Sequence, residues 1–351
     1  MTKEELIINS FCKRLPWALV SEFLKKNNLR KGQGSEKTAD KLIDDFSKNL
    51  FSPNLVTQMD KVYRSYIRFG DKTIAIDTLT PSEISSISSA IKNIQPEVNE
   101  RIINFPYIDA DTNSHLNKTL SFIKCTSSKS GFLHFYFAST RAITETVIID
   151  DNFLQAKNVN WKIPTDIFDV SGKIVTLRRC YDVVTIDIKN NTLIYQLDAK
   201  TASLNDEIEE ALKKLINKFQ TLFLYPLNIS PSKQNVFPAI KNIYDHSIGR
   251  VCELGYQVSS VTHLEKTRLN DKDLRQEEFH KGGKAKVKSL DVYRIANRYK
   301  SKSSKFNIET ELLLPGQSSQ LKAKSAGHLR AAIFTKCLNS DDFRRHIADL
   351  I

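Results

Sequence analysis

Nine basic side chains stand within residues 281–305: Lys281, Lys284, Lys286, Lys288, Arg294, Arg298, Lys300, Lys302 and Lys305, with Asp291 as the single acid among them. Ammonium and guanidinium groups at this density neutralise phosphates and release counterions, which is the chemistry of a polyanion contact. The chain carries 52 Lys and Arg against 40 Asp and Glu, a net charge of +12, and eight of those charges come from this one stretch. Residues 1–95 add +4, residues 96–280 only −1, and residues 306–351 +1. A charge that served solubility alone would be spread over the whole surface. Tyr293 and Tyr299 lie among the cations and are placed to stack on unpaired bases, although in a helix over 290–299 they could equally face a core. A membrane surface attracts the same charge, but no helix with a broad apolar face accompanies it. A solvated basic loop and an acidic protein partner are the other readings of the same residues.

A second group of cations occupies residues 15–46, where Leu19, Phe23 and Leu24 pattern one helix, Gly32 and Gly34 mark a turn, and Leu42, Ile43 and Phe46 pattern another. This segment resembles the SAP-type helix-extended-helix module. The resemblance covers about a tenth of the chain and implies phosphate contacts from Lys31, Lys37 and Lys41 and from the amides opening the second helix. The run Gly32-Gln-Gly34-Ser-Glu-Lys37-Thr38 is not a phosphate loop, because Glu36 stands where a glycine must let the backbone wrap the phosphates.

Acids capable of catalysis end two consecutive strand patterns. Asp187 closes the first and Asp198-Ala199-Lys200 the second, with the turn residues Lys189-Asn190-Asn191 between. The segment looks like the core of the PD-(D/E)xK nucleases, and the resemblance implies that Asp187 and Asp198 hold Mg²⁺ against a phosphodiester while Lys200 orients or activates water. Charged residues also end exposed hairpins for ordinary reasons, and Lys189 offers Asp187 an ion pair. The seven histidines form no i, i+4 pair and support no Ser-His-Asp order. The five cysteines stand singly, without a C-x-x-C pair, so no structural zinc site is expected, and an odd, dispersed count suits a reducing compartment.

The elements that must position these groups change character along the chain. Residues 1–95 read as helical, with Thr80, Pro81 and Glu83 forming a capping box before 81–93. Residues 96–225 turn to β: short β-branched or aromatic runs at 132–137, 146–149, 173–177, 183–187 and 193–197 are followed by an amphipathic helix over 204–222 that should pack across the sheet. Residues 226–351 form a basic, mixed portion with a helix near 240–246, strands at 250–258 and 306–314, and one or two closing helices over 327–351. Leu274, Phe279, Val287, Leu290, Val292 and Ile295 are the main apolar anchors expected in the charged stretch. The fold class is α+β, with an N-terminal helical domain and a central antiparallel sheet. At 351 residues, 40% hydrophobic and 26% charged, the chain has material for cores and is not wholly disordered, and no run suits a membrane helix. The expected protein is cytoplasmic or nuclear, needs no cofactor, and binds DNA or RNA through phosphates without catalysis. Two alternatives stand beside it: a Mg²⁺-dependent DNA nuclease, and an assembly subunit docking an acidic partner.

Overall fold

Proline decides where the first helices break. In the computed structural model, which describes residues 1–97, 104–107, 119–164, 167–199, 204–267, 272–287, 289–302, 306–322 and 327–351, α1 (Lys3–Arg14) ends at Leu15. Leu15 is extended because it precedes Pro16, and α2 (Trp17–Lys26) starts directly afterwards. α3 (Gly34–Ser47) and α4 (Pro53–Phe69) complete the bundle, the latter with proline at its first position. Their apolar stripes meet in one core of Phe11, Phe23, Leu42, Met59 and Tyr63, which also takes in Tyr136, Tyr181 and Val183 from the sheet.

The N-terminal portion is not helical throughout, as its pattern suggests. Residues 72–78 form β1 (Lys72–Thr78), a middle strand of the sheet, before α5 (Pro81–Ala90), which carries the capping box of Thr80 and Glu83. The β region follows as β2 (Ser121–Ser127), β3 (Phe132–Ile148), a short α6 (Asp151–Ala156), β4 (Ser171–Asp187) and β5 (Thr192–Leu197). α7 (Asp206–Phe219) runs into a π turn over Gln220–Leu224.

The remaining elements are β6 (Ser232–Lys233), α8 (Pro238–His246), β7 (Arg250–Val258), β8 (Val261–Lys266), α9 (Glu278–Lys286), β9 (Asp291–Lys300), β10 (Glu309–Leu314), β11 (Ala331–Thr335) and α10 (Ser340–Ala348). Two expectations change here. Residues 291–300 are a strand rather than a helix, and 331–335 form a further strand ahead of a single closing helix. Both are buried between neighbouring strands, and that pairing outweighs local propensity.

The described strands make one antiparallel sheet in the order β2-β3-β4-β5-β1-β11-β10-β9-β7-β8, with β6 on β1. Alternation separates its faces. Ile74, Ile76, Ile194 and Phe334 pack with α8 and α10, whereas Ala75, Tyr195, Leu193 and Ala331 pack under α7. β3 and β4 pair over their whole length, from Phe132↔Asp187 to Ile148↔Ser171, while β2 and β5 cover only one end of them. The far end is a two-stranded ribbon with Ile148 and Val175 exposed. No helix among the described residues is long and apolar enough to cross a membrane.

Candidate functional site

The β4–β5 hairpin places the suspected acids apart. Asp187 pairs with Thr192 beside the turn, whereas Asp198 lies beyond the other end of β5, where its Oδ2 accepts the N–H of Tyr181 at 2.7 Å. Six residues of extended chain separate Tyr181 from Asp187, roughly 20 Å. A single ion cannot bridge that span, so the structure does not bring Asp187 and Asp198 together as a metal pair. Lys200 lies outside the described residues.

Each acid has other work. Asp187, 1% exposed, accepts from the Lys189 amide at 3.1 Å, from Asn190 Nδ2 at 2.9 Å and from Arg344 Nε at 3.1 Å. It therefore closes the turn and holds α10 against it. Asp198 is gripped by Arg14, and its own N–H donates to Oδ1 of Asp182 at 2.7 Å. Asp182 in turn receives both terminal nitrogens of Arg141 at 2.8 Å. Counting outward from the hairpin turn would have found Asp182, rather than Asp187, as the acid beside Asp198.

Lys72, 2% exposed, completes this junction by donating to the Tyr181 carbonyl at 2.8 Å. Burial opposes ionisation of Asp198, yet Arg14, Lys72, Arg178 and Arg141 together hold its carboxyl well below the usual range. Burial pushes the Lys72 ammonium down, and Asp198 and Asp182 oppose that shift. Beside the junction lies a cleft of about 120 Å³ lined by Arg14, Tyr66, Asp71, Arg178 and Asp198. Opposite charges balance in its walls. Among the described residues, no group of three or more His, Cys, Asp or Glu side chains is arranged to hold a metal.

The basic segment divides into three parts. Lys281, Lys284 and Lys286 are all exposed on α9, and no carboxylate of the described residues pairs with them. Lys284 Nζ lies 4.6 Å from the ring centre of Tyr244. Gly282 and Gly283 weaken this helix, by about 1 kcal/mol each relative to alanine. Its anchor is His280, 3% exposed, whose ring nitrogens meet Tyr244 Oη at 2.9 Å and Glu265 at 3.0 Å. A Cβ added at either glycine would meet nothing within 4 Å, so this side of the helix is open.

Of the apolar anchors expected here, Val292 and Ile295 are buried, Val287 and Leu290 are half-buried, and Phe279 alone is exposed. Leu274 is buried, but Phe279 is 77% exposed on α9, beside the lysines. No pattern in the sequence separates it from a core phenylalanine.

Arg294 and Arg298, in contrast, are neutralised within the sheet. Arg294 pairs with Glu253 and Arg298 with Glu311, its direct neighbour on β10. Tyr299 is buried, bonded to Ser247 at 2.8 Å and Asp349 at 2.7 Å, and Tyr293 donates to the His263 carbonyl at 3.2 Å. Tyr299 is therefore not placed as a free stacking platform, and Tyr293 is half-buried. Lys300 and Lys302 are exposed where β9 ends, and Lys288 and Lys305 lie outside the described residues. The ring of Phe306 stands 6.2 Å from Phe23 of α2.

In residues 15–46, Lys31 and Lys37 are exposed and Lys41 is half-buried. Thr38 Oγ1 closes the turn by accepting the Gly32 amide at 3.0 Å and bonding the Gly34 carbonyl at 2.6 Å, and Gly34 takes a φ of +83° that favours glycine. No known protein-family model matches the chain, and no curated protein matches it.

Proposed function

We propose that this protein binds nucleic acid, chiefly through phosphates, with α9 as the main contact and no catalysis of its own. One observation carries the reading: Lys281, Lys284 and Lys286 share a nine-residue helix, exposed and without carboxylate partners among the described residues. Phe279 on the same helix supplies a surface for an unpaired base. Lys300, Lys302, Lys31, Lys37 and Lys41 serve as secondary phosphate ligands.

The test is a salt series of binding to duplex DNA, single-stranded DNA and RNA of equal length. Changing Lys281, Lys284 and Lys286 to Ala should weaken binding and flatten the plot of log K against log salt. The slope should fall by about 0.9 for each duplex phosphate that is no longer neutralised, and by about 0.7 on single strands. Changing Arg294 and Arg298 should leave that slope unaltered, because their charges are already met by Glu253 and Glu311. An α9 triple variant with wild-type affinity and slope would defeat the assignment.

A further inference from the structure

A second concentration of positive charge exists that no run of basic residues announces. A pocket of about 90 Å³ lies between α4 and β2, lined by Arg64 and Arg68, by Lys124 and Thr126, and by the rings of Phe105 and Tyr136. Spacing explains the convergence. Arg64 and Arg68 are four apart and share a face of α4. Lys124 and Thr126 are two apart and share a face of β2, opposite Tyr136 and His134 on β3. No residue of α9 lines this pocket, which is therefore distinct from the α9 surface.

Three cations meet here with one nearby carboxylate among the described residues, and that one is occupied. Asp60 accepts from Arg64 Nε at 2.9 Å and from the Tyr107 hydroxyl at 2.7 Å. Arg68 Nε donates to the neutral phenol of Tyr136 at 2.8 Å, and Lys124 Nζ stands 5.1 Å from the centre of the Phe105 ring. Phenols and ring faces orient a cation without cancelling its charge. No Asp or Glu of the described residues lines the pocket. Burial first, then repulsion from Arg64 and Arg68, lowers the Lys124 ammonium from its usual range. The like charges of Arg68 and Lys124, without a carboxylate partner among the described residues and held in a partly desolvated recess, make a site for an anion.

We infer that the pocket binds a phosphate group, with Arg68 and Lys124 as its charged ligands, Arg64 supporting the wall and Thr126 offering a hydroxyl. Its volume accommodates one phosphoryl group, and the recess is open enough for the remainder of an ester to extend from it. The phosphate arrives either free or on a small ester, or as the terminal group of a nucleic-acid strand.

The experiment uses the full chain at constant ionic strength held with NaCl. Inorganic phosphate, AMP, and one oligonucleotide with and without a 5′-phosphate are titrated by calorimetry, with the thermal midpoint as a second readout. Phosphate and AMP should bind and raise the midpoint if the group is free, and the 5′-phosphorylated strand should bind more tightly than its unphosphorylated twin if it is a strand end. Lys124→Gln should weaken phosphate binding about tenfold or more, the loss expected for one charged hydrogen bond, and Lys124→Arg should restore it. The α9 triple variant should bind phosphate like wild type, which separates this site from the interface proposed above. Failure of phosphate, AMP and the 5′-phosphate alike to bind would overturn the inference. Wild-type phosphate affinity in folded Lys124→Gln would overturn it equally.

Discussion

Arg14 on α1 donates through Nη2 to Oδ2 of Asp198, 184 residues further along the chain, and both side chains are almost wholly removed from water. The pair ties the helical bundle to the end of β5. A second Arg14 nitrogen reaches the Arg179 carbonyl, so one guanidinium joins α1 to two strands. Removing one partner of a buried pair leaves the other charge poorly compensated. Arg14→Met should therefore lower unfolding stability by about 3–5 kcal/mol in urea titration. A loss under about 1 kcal/mol would show that Lys72 and Arg141 suffice to hold Asp198.

Acid should weaken the fold through two histidines. Burial pushes His134 and His346 down to about 3 in the native state. Unfolded, each titrates near 6.5. Native pKa values below the unfolded one mean that the unfolded chain takes up protons first as pH falls. Their contribution is thus intact above about pH 6.5 and is lost from there towards pH 3, by up to about 1.4 kcal/mol per pH unit for each histidine. Asp198, whose carboxyl is also lowered, acts in the same direction but only below the ordinary carboxylate range. Among the described residues neither ring nitrogen of His346 has a hydrogen-bond partner, so His346→Leu should keep its stability at pH 7 and flatten the loss between pH 6.5 and 5. Urea midpoints at pH 7.5, 6 and 5 measure this, and an unchanged slope in the variant would refute it.

Magnesium gives a third test. Asp187 and Asp198 stand at opposite ends of a hairpin, and Arg344 and Arg14 already meet their charges. Millimolar Mg²⁺ should leave the thermal midpoint of the protein where NaCl of equal ionic strength leaves it, and should produce no cutting of DNA. A midpoint raised by Mg²⁺ in wild type and unmoved in Asp198→Asn would restore a metal site at Asp198.

Much of the local structure was legible because it rests on contacts between residues near in sequence. The capping box of Thr80 and Glu83 is a three-residue relationship, and the α7 stripe of Leu212, Leu215 and Phe219 follows from 3.6 residues per turn. The hairpin around Asn191 was readable too, since its turn residues and flanking alternation are adjacent. β1 was not legible: Lys72–Thr78 is a strand because β5 and β11 flank it, and those partners lie more than a hundred residues away. The same distance hid Phe279, exposed although apolar, and the pocket of Arg64, Arg68 and Lys124, two of which stand on α4 and one on β2.

The sequence by itself determined how much positive charge this protein carries, where along the chain it is densest, and which α+β elements that chain can form. Only the tertiary structure decided which cations remain available, leaving Lys281, Lys284 and Lys286 open on α9 while Arg294 and Arg298 met Glu253 and Glu311 across the sheet. The physical reason is that a charge's identity is covalent, whereas its neutralisation depends on whichever carboxylate the fold brings within a few ångströms.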